Sequence, residues 1–150
     1  KNITLQDLLF EIIKSFETIT EKNLNLNLEN VKKRIPIKRS AELTYGIRNF
    51  VGNAVKFSKK NININLVGNN QTTTLQISDD GPGFPEDIYK IIGEPYISTK
   101  SKKLKSKAGL GLGTFIGKTL LERKKANIEF LKSNEGGALV EISWNNKDFV

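Results

Sequence analysis

Three short stretches of this chain combine residue types that could hold a small charged ligand. The first is Asn49, Asn53 and Lys56 in "RNFVGNAVKFS". Spaced i, i+4 and i+7, they share one stripe of a helix. An amide oxygen can hold a hard cation such as Mg²⁺, and a lysine can meet a phosphate. The competing reading is an ordinary wet helix face, although asparagine is a mediocre helix former. The second is "SDDGPGF", Ser78 to Phe84, directly after the strand-like "TLQI". Asp79 would end that strand, where its carboxylate could accept a hydrogen bond from an exocyclic amine such as that of adenine. Gly81 and Gly83 would let the backbone run close to a flat ring, with no Cβ in the way. A plain Asp-Gly turn with Pro82 fixing φ is the alternative, and it leaves the second glycine unexplained. The third is "GLGLG", Gly109 to Gly113, followed at once by a helix. Glycines before a helix N-terminus expose N–H groups to an anion. No Gly-Lys-Ser/Thr follows, so it is not a Walker A loop, and a lysine-rich loop rather than a strand precedes it, unlike a dinucleotide fingerprint.

Alone each stretch is weak. In this order they offer an amide and an ammonium, then a carboxylate with glycines, then a glycine-rich helix start. Those groups match the metal, adenine and phosphates of a Mg-nucleotide.

The elements that must position them can be read from periodicity. Leu5 to Phe16 has helical apolar spacing, with Leu5, Leu8, Leu9, Ile12, Ile13 and Phe16 on one side. "LNLNLEN" alternates as a half-buried strand, and "RIPIK" suits a short edge strand because of Pro36. Ser40 is placed to cap a helix over 41–58, whose core side is Leu43, Ile47, Phe50, Val51, Ala54 and Phe57. "NININL" and "TTTLQIS" form a hairpin through "VGNNQ". A short helix is expected around 86–92, a long irregular stretch follows, and a third helix spans about 114–124. "ANIEFL" and "GALVEISW" close the chain as a second hairpin. The class is α+β: a two-layer sandwich of a mixed sheet covered on one face by about three helices, in a single domain over 1–150.

Composition narrows the chemistry. The chain has 150 residues, a net charge of +8, and neither cysteine nor histidine. Disulfides, thiolate metal sites, histidine acid–base catalysis and Ser-His-Asp triads are therefore excluded for this chain. No apolar run is long enough to cross a bilayer. Between Glu94 and Glu122 there is no acid, while Lys100, Lys102, Lys103, Lys105, Lys107 and Lys118 all fall there. Such a block could meet nucleic acid, an acidic membrane or a ligand's phosphates.

The three stretches resemble the boxes of the GHKL nucleotide-binding superfamily, specifically the catalytic and ATP-binding domain of sensor histidine kinases. "RNFVGNAVKFS" is similar to the N box, "DDGPGF" to the G1 box and "GLGLGTFIGKTL" to the G2 box. "GEPYISTK", "FIGKTLLER" and "GGALVEISW" resemble the RegB/PrrB redox-sensor type in particular. The likeness runs from about Ile35 to Trp144 and implies the Bergerat-type fold. It implies that Asn53 coordinates Mg²⁺ between the phosphates, that Asn49 supports the same site and that Lys56 contacts phosphate. Asp79 would read the adenine amine, with Gly81 and Gly83 shaping that pocket. Gly109, Leu110, Gly111, Leu112, Gly113 and Thr114 would cradle phosphates beyond an ATP lid over about 85–108. Tyr96 stands where many members have Phe. Thr114 replaces a usual apolar residue, and Gly117 would weaken the helix that follows by about 1 kcal/mol relative to alanine.

The resemblance also separates kinase from hydrolase. The family's hydrolases carry a glutamate four residues before the metal-binding asparagine. Here that residue is Asn49, which cannot take a proton from water at neutral pH. The expected activity is transfer of the γ-phosphoryl group of Mg-ATP to a histidine on a separate dimerisation segment. This chain has no histidine, so it is expected to be a catalytic domain apart from that segment. The implied setting is the cytoplasmic portion of a membrane-anchored bacterial two-component sensor. That sensor would be a homodimer with a response regulator downstream, and the isolated domain a monomer. A freestanding serine kinase of the anti-sigma-factor type is the alternative, against which "EPYISTK" and "TLLER" speak. A nucleic-acid-binding module would spread its basic residues over one surface with interleaved aromatics. Here they concentrate in the lid, so no nucleic-acid partner is expected.

Overall fold

The computed structural model describes residues 2–84, 111–134 and 136–150. Seven strands and three α-helices are found there, with one turn of 3-10 helix at Asn146–Asp148. In chain order they are β1 (Asn2–Thr4), α1 (Leu5–Glu17), β2 (Asn23–Asn27), β3 (Pro36–Lys38), α2 (Ala41–Phe57), β4 (Asn61–Gly68), β5 (Thr72–Asp79), α3 (Gly111–Glu122), β6 (Asn127–Lys132) and β7 (Ala138–Asn145). The expected helix at 86–92 and the lid at 85–108 lie outside the described residues.

Local rules account for the helix starts. The Thr4 hydroxyl accepts the Asp7 N–H at 3.1 Å and opens α1. The Ser40 hydroxyl accepts the Leu43 N–H at 3.2 Å and opens α2, as the sequence predicts. The apolar stripe of α2 buries Leu43, Ile47, Phe50, Val51 and Ala54, while Phe57 is only half-buried.

The main sheet has the order β2-β4-β5-β7-β6. β2 runs parallel to β4, and the remaining pairs are antiparallel. A parallel partner needs a long crossover, and α2 lies within it. Strand alternation sorts the two faces. Ile62, Ile64 and Leu66 of β4 point with Leu75 and Ile77 of β5 and Val140, Ile142 and Trp144 of β7 into one core with the helices. The other face is mostly polar, with Val67, Leu131 and Leu139 among it, and is linked across strands by amide hydrogen bonds. Asn23 donates to Asn61 at 3.1 Å, Asn25 to Asn63 at 3.2 Å, and Asn65 to Gln76 at 2.9 Å. The architecture is thus the expected α+β sandwich.

Three details differ from expectation. Asn2–Thr4 forms a strand, which a three-residue segment cannot announce by alternation. It pairs with β3 in a separate two-stranded sheet, so "RIPIK" is not an edge of the main sheet. The C-terminal Phe149 carbonyl accepts the Lys38 N–H at 2.7 Å, and its ring stacks on Trp144 at 4.2 Å. Finally, α3 starts at Gly111 rather than Thr114, so the last glycines of "GLGLG" are helical and not loop.

The α2–α3 crossing explains that third helix. Gly46 faces Leu121, where a Cβ would lie 2.6 Å from Leu121 Cγ. One turn on, Gly117 faces Phe50 and Asn49, at 3.1 and 3.2 Å from such a Cβ. Another turn on, Asn53 bonds to Thr114. The helices therefore run antiparallel and close together. Gly117 is not a mere weakness in α3; it makes room for Phe50, which is buried to 1% exposure. Among the described residues, no helix is long and apolar enough to cross a membrane.

Candidate nucleotide-binding site

The two adjacent acids at the end of β5 do different work. Asp80 closes the corner between α2 and β4. Its carboxylate accepts the N–H groups of Lys59 at 2.8 Å, Lys60 at 3.1 Å and Asn61 at 3.1 Å, with the Asn61 side chain at 3.2 Å. Desolvation alone would raise its pKa, but those donors outweigh it and hold the group at about 2.

Asp79 is the buried one, 5% exposed. Its Oδ1 accepts the Gly81 N–H at 2.8 Å and the Ala138 N–H at 3.4 Å. Among the described residues, Oδ2 takes no hydrogen bond. Burial pushes the carboxyl above the ordinary range. The Gly81 and Ala138 N–H groups oppose that rise, Asp80 adds to it, and Lys22 opposes it. A buried acid with one oxygen fixed and the other open suits an N–H donor on a ligand.

The glycines around Asp79 have a packing reason. A Cβ at Gly81 would overlap the Phe57 carbonyl at the end of α2. Gly83 adopts φ +79°, and a Cβ there would sit 3.0 Å from the Gly136 carbonyl. Beyond it, Phe84 sets its ring edge-on to Phe130 at 5.9 Å, and Phe130 lies 6.1 Å from Phe50. The turn from Asp79 to Phe84 is thus held by the protein itself before any ligand arrives.

Behind Asp79 sits the β6–β7 turn, which sequence reasoning did not assign to the site. Ser133 Oγ donates to the Asp79 carbonyl at 3.2 Å and accepts the Gly137 N–H at 2.9 Å. A Cβ at Gly137 would overlap the Asp79 carbonyl oxygen and lie 2.9 Å from Oδ1. The available signal was a second glycine in "EGGALV", one more than a hairpin turn requires.

On α2, the Asn53 Nδ2 donates to Thr114 Oγ1 at 3.0 Å. Thr114 is buried to 1% exposure, so the first and third stretches of the sequence meet here. Asn49 donates instead to the Tyr45 carbonyl one turn back, at 2.7 Å. Lys56 is exposed, its Nζ 5.3 Å from the Phe57 ring centroid. Asn53 and Phe57 are one turn apart, and Phe57 is the residue whose carbonyl meets Gly81. The asparagine and the Asp79 turn therefore belong to the same end of α2. Gly109 and Leu110 lie outside the described residues. Gly111, Leu112 and Gly113 form the first turn of α3.

The donor set can be tested against a divalent cation. With Nδ2 committed to Thr114, the Asn53 Oδ1 is the atom left to act as a hard oxygen ligand. Among the described residues, no group of three acidic side chains could hold a metal on its own. One amide oxygen fits an ion that takes most of its ligands from phosphates and water.

Residues 39–147 match the family described as "Histidine kinase-, DNA gyrase B-, and HSP90-like ATPase". The chain belongs to that family, and ATP binding is what membership implies. The sensor histidine kinase RegB of Cereibacter sphaeroides is 36% identical over 124 residues, covering 72% of this chain and 27% of RegB. This chain thus spans about a quarter of the length of that relative. Two solved structures share the fold. The catalytic domain of histidine kinase ThkA superposes with a TM-score of 0.77 at 19% identity, covering 97% of this chain and 96% of that one. Full-length ShkA in complex with AMPPNP superposes with a TM-score of 0.76 at 19% identity, covering 95% of this chain and 30% of that one. RegB is a sensor histidine kinase, which does not favour the serine-kinase alternative.

Proposed function

We propose that this chain binds Mg-ATP and passes its γ-phosphoryl group to a histidine on a separate dimerisation segment of a two-component sensor. The observation that carries the reading is Asp79: a buried carboxylate at a strand end, held through Oδ1, whose Oδ2 takes no hydrogen bond from the described residues. It would accept a hydrogen bond from the adenine amine. The match to RegB supports the assignment to a sensor kinase, and the AMPPNP bound by ShkA supports an adenine nucleotide as ligand.

In this reading Asn53 would hold Mg²⁺ through Oδ1, and the ion would supply charge neutralisation at the phosphates. Lys56 meets a phosphate oxygen, Asn49 supports the same wall, and the start of α3 from Gly111 to Thr114 lies along the phosphates with Gly109 and Leu110 before it. Transfer then rests on positioning. A neutral imidazole nitrogen attacks the γ-phosphorus, the bond to the β–γ bridging oxygen breaks, and ADP leaves. Asn49 is no base for water, so hydrolysis competes poorly. The receptor would be a membrane-anchored homodimer with this domain on the cytoplasmic side, its lid over about 85–108, and a response regulator taking the phosphoryl group next.

The test supplies the histidine-bearing segment with this chain and γ-labelled ATP. Label on that histidine, dependent on Mg²⁺ and lost on adding EDTA, is the expected result. An unlabelled segment beside brisk release of inorganic phosphate would show a hydrolase instead.

A further inference from the structure

Lys22 has no role in the reading above, yet it reaches into the site's foundations. It lies just before β2, far in sequence from the three boxes. Its half-buried ammonium donates to the Val55 carbonyl at 2.7 Å and to the Ser58 carbonyl at 2.7 Å. These are carbonyls of the last turn and cap of α2, the negative end of the helix dipole. Ser58 itself is buried and caps the helix through its N–H to the Ala54 carbonyl at 3.0 Å. Between the two gripped carbonyls lies Phe57, whose own carbonyl packs against Gly81 too closely for a Cβ. Gly81 in turn donates to Asp79 Oδ1. On the other side of the same corner, Asp80 takes the N–H groups of residues 59 to 61.

We propose that Lys22 is a positioning residue for nucleotide binding: it clamps the C-terminal end of α2 against the Asp79–Gly81 turn. A cation holds the corner by its carbonyls and an anion holds it by its N–H groups, with Asp79 fixed beside both. Lys22 also acts on Asp79 through its charge. Among the described residues, the charges acting on that carboxyl are Asp80, which raises its pKa, and Lys22, which lowers it. Removing the lysine's charge therefore leaves Asp79 protonated up to a higher pH, and a protonated oxygen is a poorer acceptor for an amine.

This inference rests on the reading that Asp79 binds the base. The experiment titrates a fluorescent adenine nucleotide into the whole chain from mildly acidic to mildly alkaline pH. The variants are Lys22→Met, Lys22→Arg and Asp79→Asn, each checked by circular dichroism. Lys22→Met is expected to weaken binding about tenfold at neutral pH, since the lost bonds are charge-assisted. Its acid limb, where binding fails on lowering the pH, is expected at higher pH than in the parent. Arginine keeps the charge and two donors and is expected to restore most of the affinity. Should Met prevent folding, Lys22→Gln drops the charge while keeping a donor and is read in the same way. Parent affinity and an unmoved acid limb in the charge-free variant, beside weak binding by Asp79→Asn, overturn the role of Lys22 and leave the site standing. Parent affinity in Asp79→Asn overturns the site itself.

Discussion

Asn53 Nδ2 donates to Thr114 Oγ1 at 3.0 Å, joining α2 to the first turn of α3. The bond decides which atom of the amide is left for a cation. It also ties α2, on which the proposed metal ligand sits, to α3. Thr114→Val keeps the shape and removes the acceptor, leaving a half-buried amide without its partner. The expected cost is about 1 kcal/mol of stability, with a loss of Mg²⁺-dependent nucleotide affinity. Asn53→Ala should lose that dependence altogether and nearly abolish transfer. Nucleotide titrations with Mg²⁺ and with EDTA check both, and an Asn53→Ala protein that still responds to Mg²⁺ removes the metal assignment.

Asp79→Asn should separate binding from folding. The variant keeps an oxygen for the Gly81 and Ala138 N–H groups and removes a charge that burial disfavours. Its thermal midpoint is expected at or above the parent's, while nucleotide affinity falls on the order of a hundredfold. The sign follows from linkage. A carboxyl whose folded pKa is raised binds more protons folded than unfolded, so its contribution to stability falls as pH rises above 3.8.

Asp80 behaves in the opposite sense. Its folded value of about 2 lies below the ordinary 3.8, so its contribution is present above the ordinary value and is lost as pH falls through about 2. Melting curves of the parent and of Asp80→Asn should differ above the higher of these values and converge at the lower. A gap that stays constant across that window would show that the carboxylate's charge does not hold the corner.

Gly137→Ala should be the most damaging alanine in the β6–β7 turn. Its Cβ would overlap the Asp79 carbonyl, and backbone cannot swing aside as a side chain can. A loss of about 2 kcal/mol or more is expected, together with weaker nucleotide binding. Gly136→Ala is the control. Among the described residues nothing lies within 4 Å of its Cβ, and its φ of +88° is what resists, at a cost of about 1 kcal/mol. Equal losses in the two variants, by chemical denaturation, would show that the Asp79 contact carries no weight.

Gly117→Ala tests helix propensity against packing. Propensity alone favours alanine by about 1 kcal/mol. Its Cβ would press on Phe50 and Asn49, at 3.1 and 3.2 Å, and Phe50 is locked in the core. A lower melting temperature is expected; a higher one would show that α3 can shift away from α2.

Much of the fold was legible because its signals are local. The leucine and isoleucine stripe of α1, the Ser40 cap and the alternation in "NININL" each specify an element within a few residues of chain. Asp79 stood out for the same reason: a carboxylate and glycines at a strand end form an unusual local pattern. The separate pairing of β1 with β3 was not legible, since a three-residue strand carries no period to detect. The glycine-rich stretch was misread at its boundary. Gly111 and Gly113 look like loop by composition, yet they open α3, the helix that meets α2 through Thr114, Gly117 and Leu121.

The order of the boxes, the apolar periodicities and the absence of histidine all belong to the sequence alone, and they sufficed to indicate a nucleotide site in an α+β sandwich. Only the tertiary structure set Gly46 against Leu121, Gly117 against Phe50 and Asn53 against Thr114. It alone put Gly137 behind Asp79 and Lys22 beneath α2. Helical and strand periods are properties of neighbouring residues, whereas such close approaches join residues tens of positions apart. They are decided when a shared core settles how the helices lie on the sheet.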